Sequence, residues 1–166
     1  MGFSEEMLEN FSGVISRPSK NGKYPCQNIA SCEKIQTLCR ETNPEYVLEI
    51  GTSYGASTLC LAMALKSLQK DLSVLTTIDL HQNLWNAITP SIQLPLLDQY
   101  GMDLRKVNAI CNDVQFLDPS TVIKPNSRYF VFYDIHDSHS LSFSRIFLDR
   151  WIPLFSNVTV AFHDMT

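Results

Sequence analysis

The sequence predicts an α/β protein with a doubly wound, mostly parallel sheet in a three-layer αβα sandwich. Short apolar segments alternate with longer segments whose apolar residues recur at helical spacing. A turn with two glycines separates the first predicted strand from the next helix, and acids or histidines follow the later strands. This alternation predicts parallel strands covered by helices on both faces.

The first predicted strand is Tyr46–Ile50, and the turn that follows it contains Gly51 and Gly55. A helix is predicted from Ala56 to about Lys70. Glycine adopts backbone conformations that other residues avoid, and it lets a ligand approach the main chain closely. Strand, glycine turn and helix together form the unit in which α/β proteins hold nucleotide-like ligands.

The remaining elements alternate along the chain. A helix is predicted over Ile29–Thr42, with Cys32 and Cys39 on its buried face. Four further strands are predicted at Ser73–Leu80, Lys106–Cys111, Tyr129–Tyr133 and Val158–Phe162. Helical segments are predicted within residues 89–101, at Leu117–Ile123 and at His139–Leu154. Right-handed crossovers and a switch point beside the first strand predict the order 3-2-1-4-5 and a Rossmann-like domain.

Length and composition bound the class of protein. The 166 residues predict a single domain over residues 29–166, preceded by an arm or lid at residues 1–28. A net charge of −4 without a long basic run argues against a nucleic-acid partner. No apolar stretch reaches the ~20 residues of a membrane helix. Five cysteines without metal-ligand spacing are typical of a reducing compartment, so we expect a cytoplasmic location.

Polar residues gather where the predicted strands end. Asp79 ends the second strand, and Asp113 follows the third. Acids and histidines also follow the fourth and fifth strands, at Asp134, His136, Asp137, His163 and Asp164. In an open α/β sheet, ligands bind at this carboxyl edge. Such acids also cap turns, which is an alternative for Asp79 and Asp113. Glu49 lies inside an apolar strand, where a buried carboxylate needs partners.

The segment from Glu49 through Gly51 to Gly55, followed by Ser57, resembles the nucleotide loop of class I S-adenosylmethionine-dependent methyltransferases. The resemblance implies that the turn binds S-adenosylmethionine, that Asp79 holds the ribose hydroxyls and that Asp113 meets the adenine amino group. It also implies a cofactor role for the acid that ends the fourth strand. The implied cofactor residues are Glu49, Gly51, Thr52, Ser53, Tyr54, Gly55, Ser57, Asp79, Asp113 and Asp134.

The fourth and fifth strand ends resemble the branch that methylates small-molecule hydroxyls with a divalent metal. This branch includes macrocin-type sugar O-methyltransferases, catechol O-methyltransferase relatives and cephalosporin hydroxylase-like proteins. The resemblance implies Mg²⁺ or Mn²⁺ bound by Asp134, His163 and Asp164, with His136, or else Asp137, as the base. The histidine at position 163 departs from the branch's acidic pair and favours softer metals than Mg²⁺, or a place beside the ligands.

Two other functions stay open at the level of sequence. Members of the methyltransferase superfamily have seven strands, whereas five are predicted here, so the fifth strand is expected to be an exposed edge. A non-catalytic cofactor-binding module, a fragment of a longer protein, or a homodimer through this edge would each fit. The turn also matches G-x-S-x-G, which predicts a hydrolase with Ser53 as nucleophile, Asp134 or Asp137, and His163.

Overall fold

A computed structural model describes residues 29–52, 55–80, 101–135 and 140–163. Five strands form one sheet in the order β3-β2-β1-β4-β5, and every pair of neighbours is parallel. The strands are β1 Tyr46–Ile50, β2 Leu75–Asp79, β3 Asn108–Cys111, β4 Arg128–Tyr133 and β5 Asn157–Phe162. The predicted fold class and strand order are therefore confirmed. The predicted arm at residues 1–28 and the helix within residues 89–101 lie outside the described residues.

Helices cover both faces of the sheet. The α-helices are α1 Ile29–Thr42, α2 Ala56–Ser67 and α3 Ser140–Ile146. The chain continues from α3 as a π-helical turn at Phe147–Trp151 and a 3₁₀ turn at Ile152–Leu154. None of the described helices has the length and apolar character needed to cross a bilayer.

The core has two parts, one on each face. Leu59 and Leu65 of α2 pack with Phe130 of β4 on the face that α1 and α2 cover. Phe147 and Trp151 pack with strand residues on the opposite face. Cys32 and Cys39 are fully buried in the first part, as predicted. Because both faces are covered, the binding edge predicted for the sheet is where the strands end.

Short side-chain caps account for the strand boundaries that the sequence pattern placed too early. The Asp71 carboxylate accepts a hydrogen bond of 2.9 Å from the Ser73 N–H and holds Leu72–Val74 in a 3₁₀ turn, so β2 begins at Leu75. Asp103 caps a second such turn, and β3 therefore begins at Asn108. Aspartate readily makes this local bond, which competes with strand formation.

Helical segments also differ from the prediction. The helix expected to reach Lys70 ends at Ser67, and Gln69 adopts a left-handed conformation with φ 57°. The helical turns expected at 117–123 reduce to one 3₁₀ turn, Pro119–Thr121, whose Asp118 cap accepts a bond from Ser120 N–H.

Candidate functional site

The end of β1 runs directly against the end of β4. Gly51 has φ 96° and donates its N–H to the Ile78 carbonyl at 2.9 Å. The Asp134 N–H donates to the Ile50 carbonyl at 2.8 Å. A Cβ on Gly51 would overlap the Asp134 carbonyl oxygen and lie 2.7 Å from its carbonyl carbon. The turn therefore requires glycine for both its conformation and its closeness to β4.

The second glycine begins α2. Gly55 has φ 79° and donates its N–H to the Thr52 carbonyl at 2.8 Å. Among the described residues, no side chain caps the helix start. Ser57 and Thr58, in the first turn of α2, are buried directly behind the glycine turn. The amino end of α2 therefore lies at the same edge as the carboxyl ends of β1 and β4, where its backbone N–H groups favour anionic or polar ligand groups.

Glu49 is fully buried behind this turn. Its Oε2 accepts hydrogen bonds from the Thr58 hydroxyl at 2.5 Å and from the Thr77 hydroxyl at 2.7 Å. The Thr77 hydroxyl also bonds to the Thr52 hydroxyl, which links the glycine turn to β2. Glu49 Oε1 is buried and has no hydrogen-bond partner among the described residues. The carboxyl is therefore satisfied on one oxygen and unsatisfied on the other.

This environment changes the acidity of the carboxyl group. Burial raises the pKa of Glu49 to about 7, because a carboxylate excluded from water loses its hydration. The hydroxyls of Ser57, Thr58 and Thr77 oppose this shift of the pKa. The carboxylate charge of Asp134 adds to the increase.

Asp134 and His163, which end neighbouring strands, meet at this edge. Tyr133 and Phe162 are paired in register, so the residues that follow them lie side by side. The His163 N–H donates to the Tyr133 carbonyl at 3.0 Å, and its Nδ1 lies 3.1 Å from Asp134 Oδ1. The Asp134 side chain is nearly buried, and that of His163 is partly exposed. Two of the three predicted metal ligands are therefore in contact.

Asp79 and Asp113 lie at the adjoining strand ends. Asp79 is the last residue of β2 and is half-buried; its carbonyl accepts a 3.0 Å bond from the Asn112 N–H. The Asp113 carboxylate accepts bonds from the Gln115 backbone N–H at 2.8 Å and from its side-chain amide at 3.3 Å. Asp113 therefore caps a turn in this structure, the alternative that the sequence left open.

Five predicted site residues lie outside the described part of the chain: Ser53, Tyr54, His136, Asp137 and Asp164. Within the described ranges, no group of three or more metal-ligating side chains could hold an ion. The sequence analysis missed Thr58 and Thr77, the hydroxyl donors to Glu49. Thr77 is paired with Glu49 in the register of β1 and β2, so a predicted register could have identified it.

Comparison with known proteins identifies the fold. No protein-family model matches the chain, and no curated protein matches its sequence. In structure it is similar to the SAH-bound methyltransferase PaMTH1 of Podospora anserina, with a TM-score of 0.66 and 16% identity over 98% of this chain. The fold is that of a methyltransferase. The chain spans 63% of the length of PaMTH1.

Two further structures agree with this result. A methyltransferase from Geobacter sulfurreducens has a TM-score of 0.61 and 13% identity, covering 98% of this chain and 71% of its own. The O-methyltransferase TomG of Streptomyces achromogenes, solved with SAM, has a TM-score of 0.56 and 16% identity, covering 93% and 70%. The α/β architecture predicted from the sequence is thus one that cofactor-bound methyltransferases share.

Proposed function

We propose that this protein binds S-adenosylmethionine at the turn Gly51–Gly55 and transfers its methyl group to a hydroxyl of a small molecule. The observation that carries the proposal is the end of β1. There a glycine without room for a side chain adjoins a buried carboxyl with one unpaired oxygen, in a methyltransferase fold. The TomG structure, which contains SAM, supports the choice of cofactor.

The residues at the edge fit the chemistry of this cofactor. The exposed main chain beside Gly51 and the start of α2 suit a ligand that approaches the backbone closely. Glu49 Oε1 is buried and has no donor in the described part of the chain, so it suits an ammonium group or a water bound to one. We assign the ribose hydroxyls to Asp79 and the adenine amino group to Asp113, with Thr52, Ser53, Tyr54, Gly55, Ser57 and Asp134 completing the site. The cofactor supplies an electrophilic methyl group on a sulfonium.

The acceptor hydroxyl must lose its proton as the methyl group arrives. His136 is our first choice of base and Asp137 our second, because both follow Asp134 closely in sequence. Asp134 itself is nearly buried, with its backbone N–H bonded to β1. This bond anchors Asp134, which precedes both candidate bases in the sequence, to the end of β1.

Metal assistance is a further part of the proposal. Asp134, His163 and Asp164 would supply two carboxylates and one imidazole, a donor set suited to Mn²⁺ as well as Mg²⁺. The Asp134–His163 contact places two of these donors together. A bound divalent cation would lower the pKa of the acceptor hydroxyl and orient it. Methyl transfer that persists in EDTA and in the Asp134→Ala variant would contradict a metal role.

The test of cofactor binding is a calorimetric titration with S-adenosylmethionine. We expect micromolar binding that is lost in Asp79→Ala. The matched control is Asp71→Ala, because Asp71 is also an aspartate beside β2 but lies at its opposite end. No binding by the unchanged protein would refute the proposal. If the protein does bind S-adenosylmethionine, transfer would be measured as a 14 Da mass gain on catechol and on sugar acceptors.

The Asp134–His163 contact also favours a second candidate, a hydrolase with Ser53 as nucleophile. A carboxylate bonded to Nδ1 of a histidine orients the ring so that Nε2 can take a proton from a serine hydroxyl. The fold, shared with methyltransferases, makes this the second choice. Hydrolysis of p-nitrophenyl acetate that Ser53→Ala abolishes would favour it over methyl transfer.

We also propose a homodimer through β5 and a cytoplasmic location. In the described part of the chain β5 pairs only with β4, its sequence is uncharged, and Phe162 is 38% exposed. Strand edges of this kind pair readily with another strand. Light scattering should report a dimer that Thr159→Lys dissociates, and a monomeric unchanged protein would contradict the proposal.

The described cysteines are free thiols, which suits a reducing compartment.

A further inference from the structure

The groups around Glu49 come from four elements. From α2 the hydroxyls of Ser57 and Thr58 and the thiol of Cys60 face it, and from β2 the Thr77 hydroxyl does. The turn contributes the Thr52 hydroxyl, through Thr77. The end of β4 contributes the Asp134 carboxylate, which is itself in contact with His163. The Asp134 charge, which acts on Glu49, is negative.

This arrangement favours the neutral carboxyl in the absence of a ligand. The Thr58 and Thr77 hydroxyls both donate to Oε2, so a proton on Oε1 leaves these two hydrogen bonds in place. An ionised Oε1 would be a buried anionic oxygen without a donor among the described residues. The nearby carboxylate of Asp134 also opposes a second negative charge.

We propose that Glu49 carries a proton in the ligand-free protein and releases it when a cationic ligand group docks beside Gly51. This inference rests on the proposed binding of S-adenosylmethionine, whose ammonium and sulfonium groups are the cations in question. A cation beside Oε1 supplies the opposite charge that the buried carboxylate lacks. Cofactor binding is thereby coupled to pH through one buried side chain.

The size of the coupling follows from the acidity of Glu49. With a pKa of about 7 in the ligand-free protein, the group is about 75% protonated at pH 6.5 and about 10% protonated at pH 8. Binding that ionises it should release about 0.75 proton at pH 6.5, where the amino group of the cofactor is almost fully charged. Because binding and proton release are linked reciprocally, affinity should be about fivefold higher at pH 7 than at pH 6.

The experiment is calorimetry with S-adenosylmethionine at pH 6.5 in phosphate and in imidazole, two buffers of different ionisation enthalpy. EDTA is present so that no divalent cation binds beside Asp134. The slope of the observed enthalpy against the ionisation enthalpy gives the number of protons released. We expect Glu49→Gln to release about 0.75 proton fewer than the unchanged protein. Asp149→Asn, which neutralises an exposed carboxylate on the π-helical turn, should release as many as the unchanged protein.

The possible results separate this inference from the proposed function. If the unchanged protein binds no S-adenosylmethionine, the proposed function fails. If it binds and Glu49→Gln releases as many protons, the proton-linkage inference is overturned. Should that variant not fold, infrared difference spectra of the unchanged protein decide the question. Loss of a protonated-carboxyl band on cofactor addition at pH 6.5 supports the inference, and an unchanged band overturns it.

Discussion

Replacing Gly51 by alanine should destabilise the protein far more than the same change at Gly101. Both glycines have positive φ, 96° and 64° respectively, so alanine is strained at either position. They differ in what a new Cβ would meet. At Gly51 it overlaps the backbone carbonyl of Asp134, whereas at Gly101 it lies 2.8 Å from the Lys66 ammonium, the end of a flexible side chain.

The magnitudes follow from these two contacts. A non-glycine residue in the left-handed region costs about 1–2 kcal/mol, which applies to both variants. Overlap with a main chain that cannot move freely adds about 1–3 kcal/mol or more at Gly51 only. We therefore expect a loss of about 2–5 kcal/mol for Gly51→Ala and about 1–2 kcal/mol for Gly101→Ala. Against a typical total stability of about 5–15 kcal/mol, the first change approaches unfolding.

Urea denaturation followed by circular dichroism measures the difference. With a denaturant slope of about 2 kcal/mol per molar, the midpoint of Gly51→Ala should lie about 0.5–1.5 M below that of Gly101→Ala. Gly51→Ala should also lose S-adenosylmethionine binding, because relieving the overlap must separate the turn from β4. Equal midpoints for the two variants would refute the argument that the Gly51–Asp134 contact fixes the site.

Three further predictions concern Glu49, Trp151 and Asp113. Because burial raises the pKa of Glu49 to about 7 from an ordinary value of 4.5, the carboxyl ionises in the unfolded chain at a lower pH than in the folded protein, and stability falls as pH rises between these values. Glu49→Gln should therefore gain about 3 kcal/mol relative to the unchanged protein across that interval in urea titrations. Trp151 is buried, and its Nε1 has no partner among the described residues. Trp151→Ala should therefore lower the free energy of unfolding by about 3–5 kcal/mol, whereas Trp151→Phe should lower it much less, as measured by thermal denaturation. Asp113→Ala removes the cap on Gln115 and should cost about 1 kcal/mol, whereas Asp113→Asn should retain most of it.

The strands and their order could be predicted because apolar runs and helical periods are properties of the sequence itself. The Tyr46–Ile50 strand and the glycine turn after it needed no tertiary information. Boundaries were wrong where one side chain decided them, as with Asp71, whose bond to Ser73 replaces the first residues of the predicted strand by a 3₁₀ turn. A hydrophobic pattern carries no signal for such a bond.

The meeting of Asp134 and His163 at one sheet edge could be predicted, whereas the contacts within the candidate site could not. Acids and histidines at strand ends predicted the edge, and Asp134 and His163 do meet there. That Glu49 needs partners also followed from the sequence. Their identity, Thr58 and Thr77, depends on the register of β1 against β2 and on the placement of α2, both of which arise only in the folded sheet. For Asp113 the position was predictable, but a place directly after a strand is consistent with both a turn cap and ligand binding, so the sequence could not distinguish these roles.

The hydrogen-bond ladder of the sheet continues one residue past the strands at this edge. The N–H groups of Gly51, Asn112, Asp134 and His163 each donate to a carbonyl near the end of the neighbouring strand. The chain therefore leaves each of these strands from a residue already anchored to the neighbouring strand. We expect this edge to stay in place when segments of other lengths and sequences are inserted after these four residues. Exchanging residues 136–139 should therefore alter which acceptors are used while leaving the cofactor turn in place.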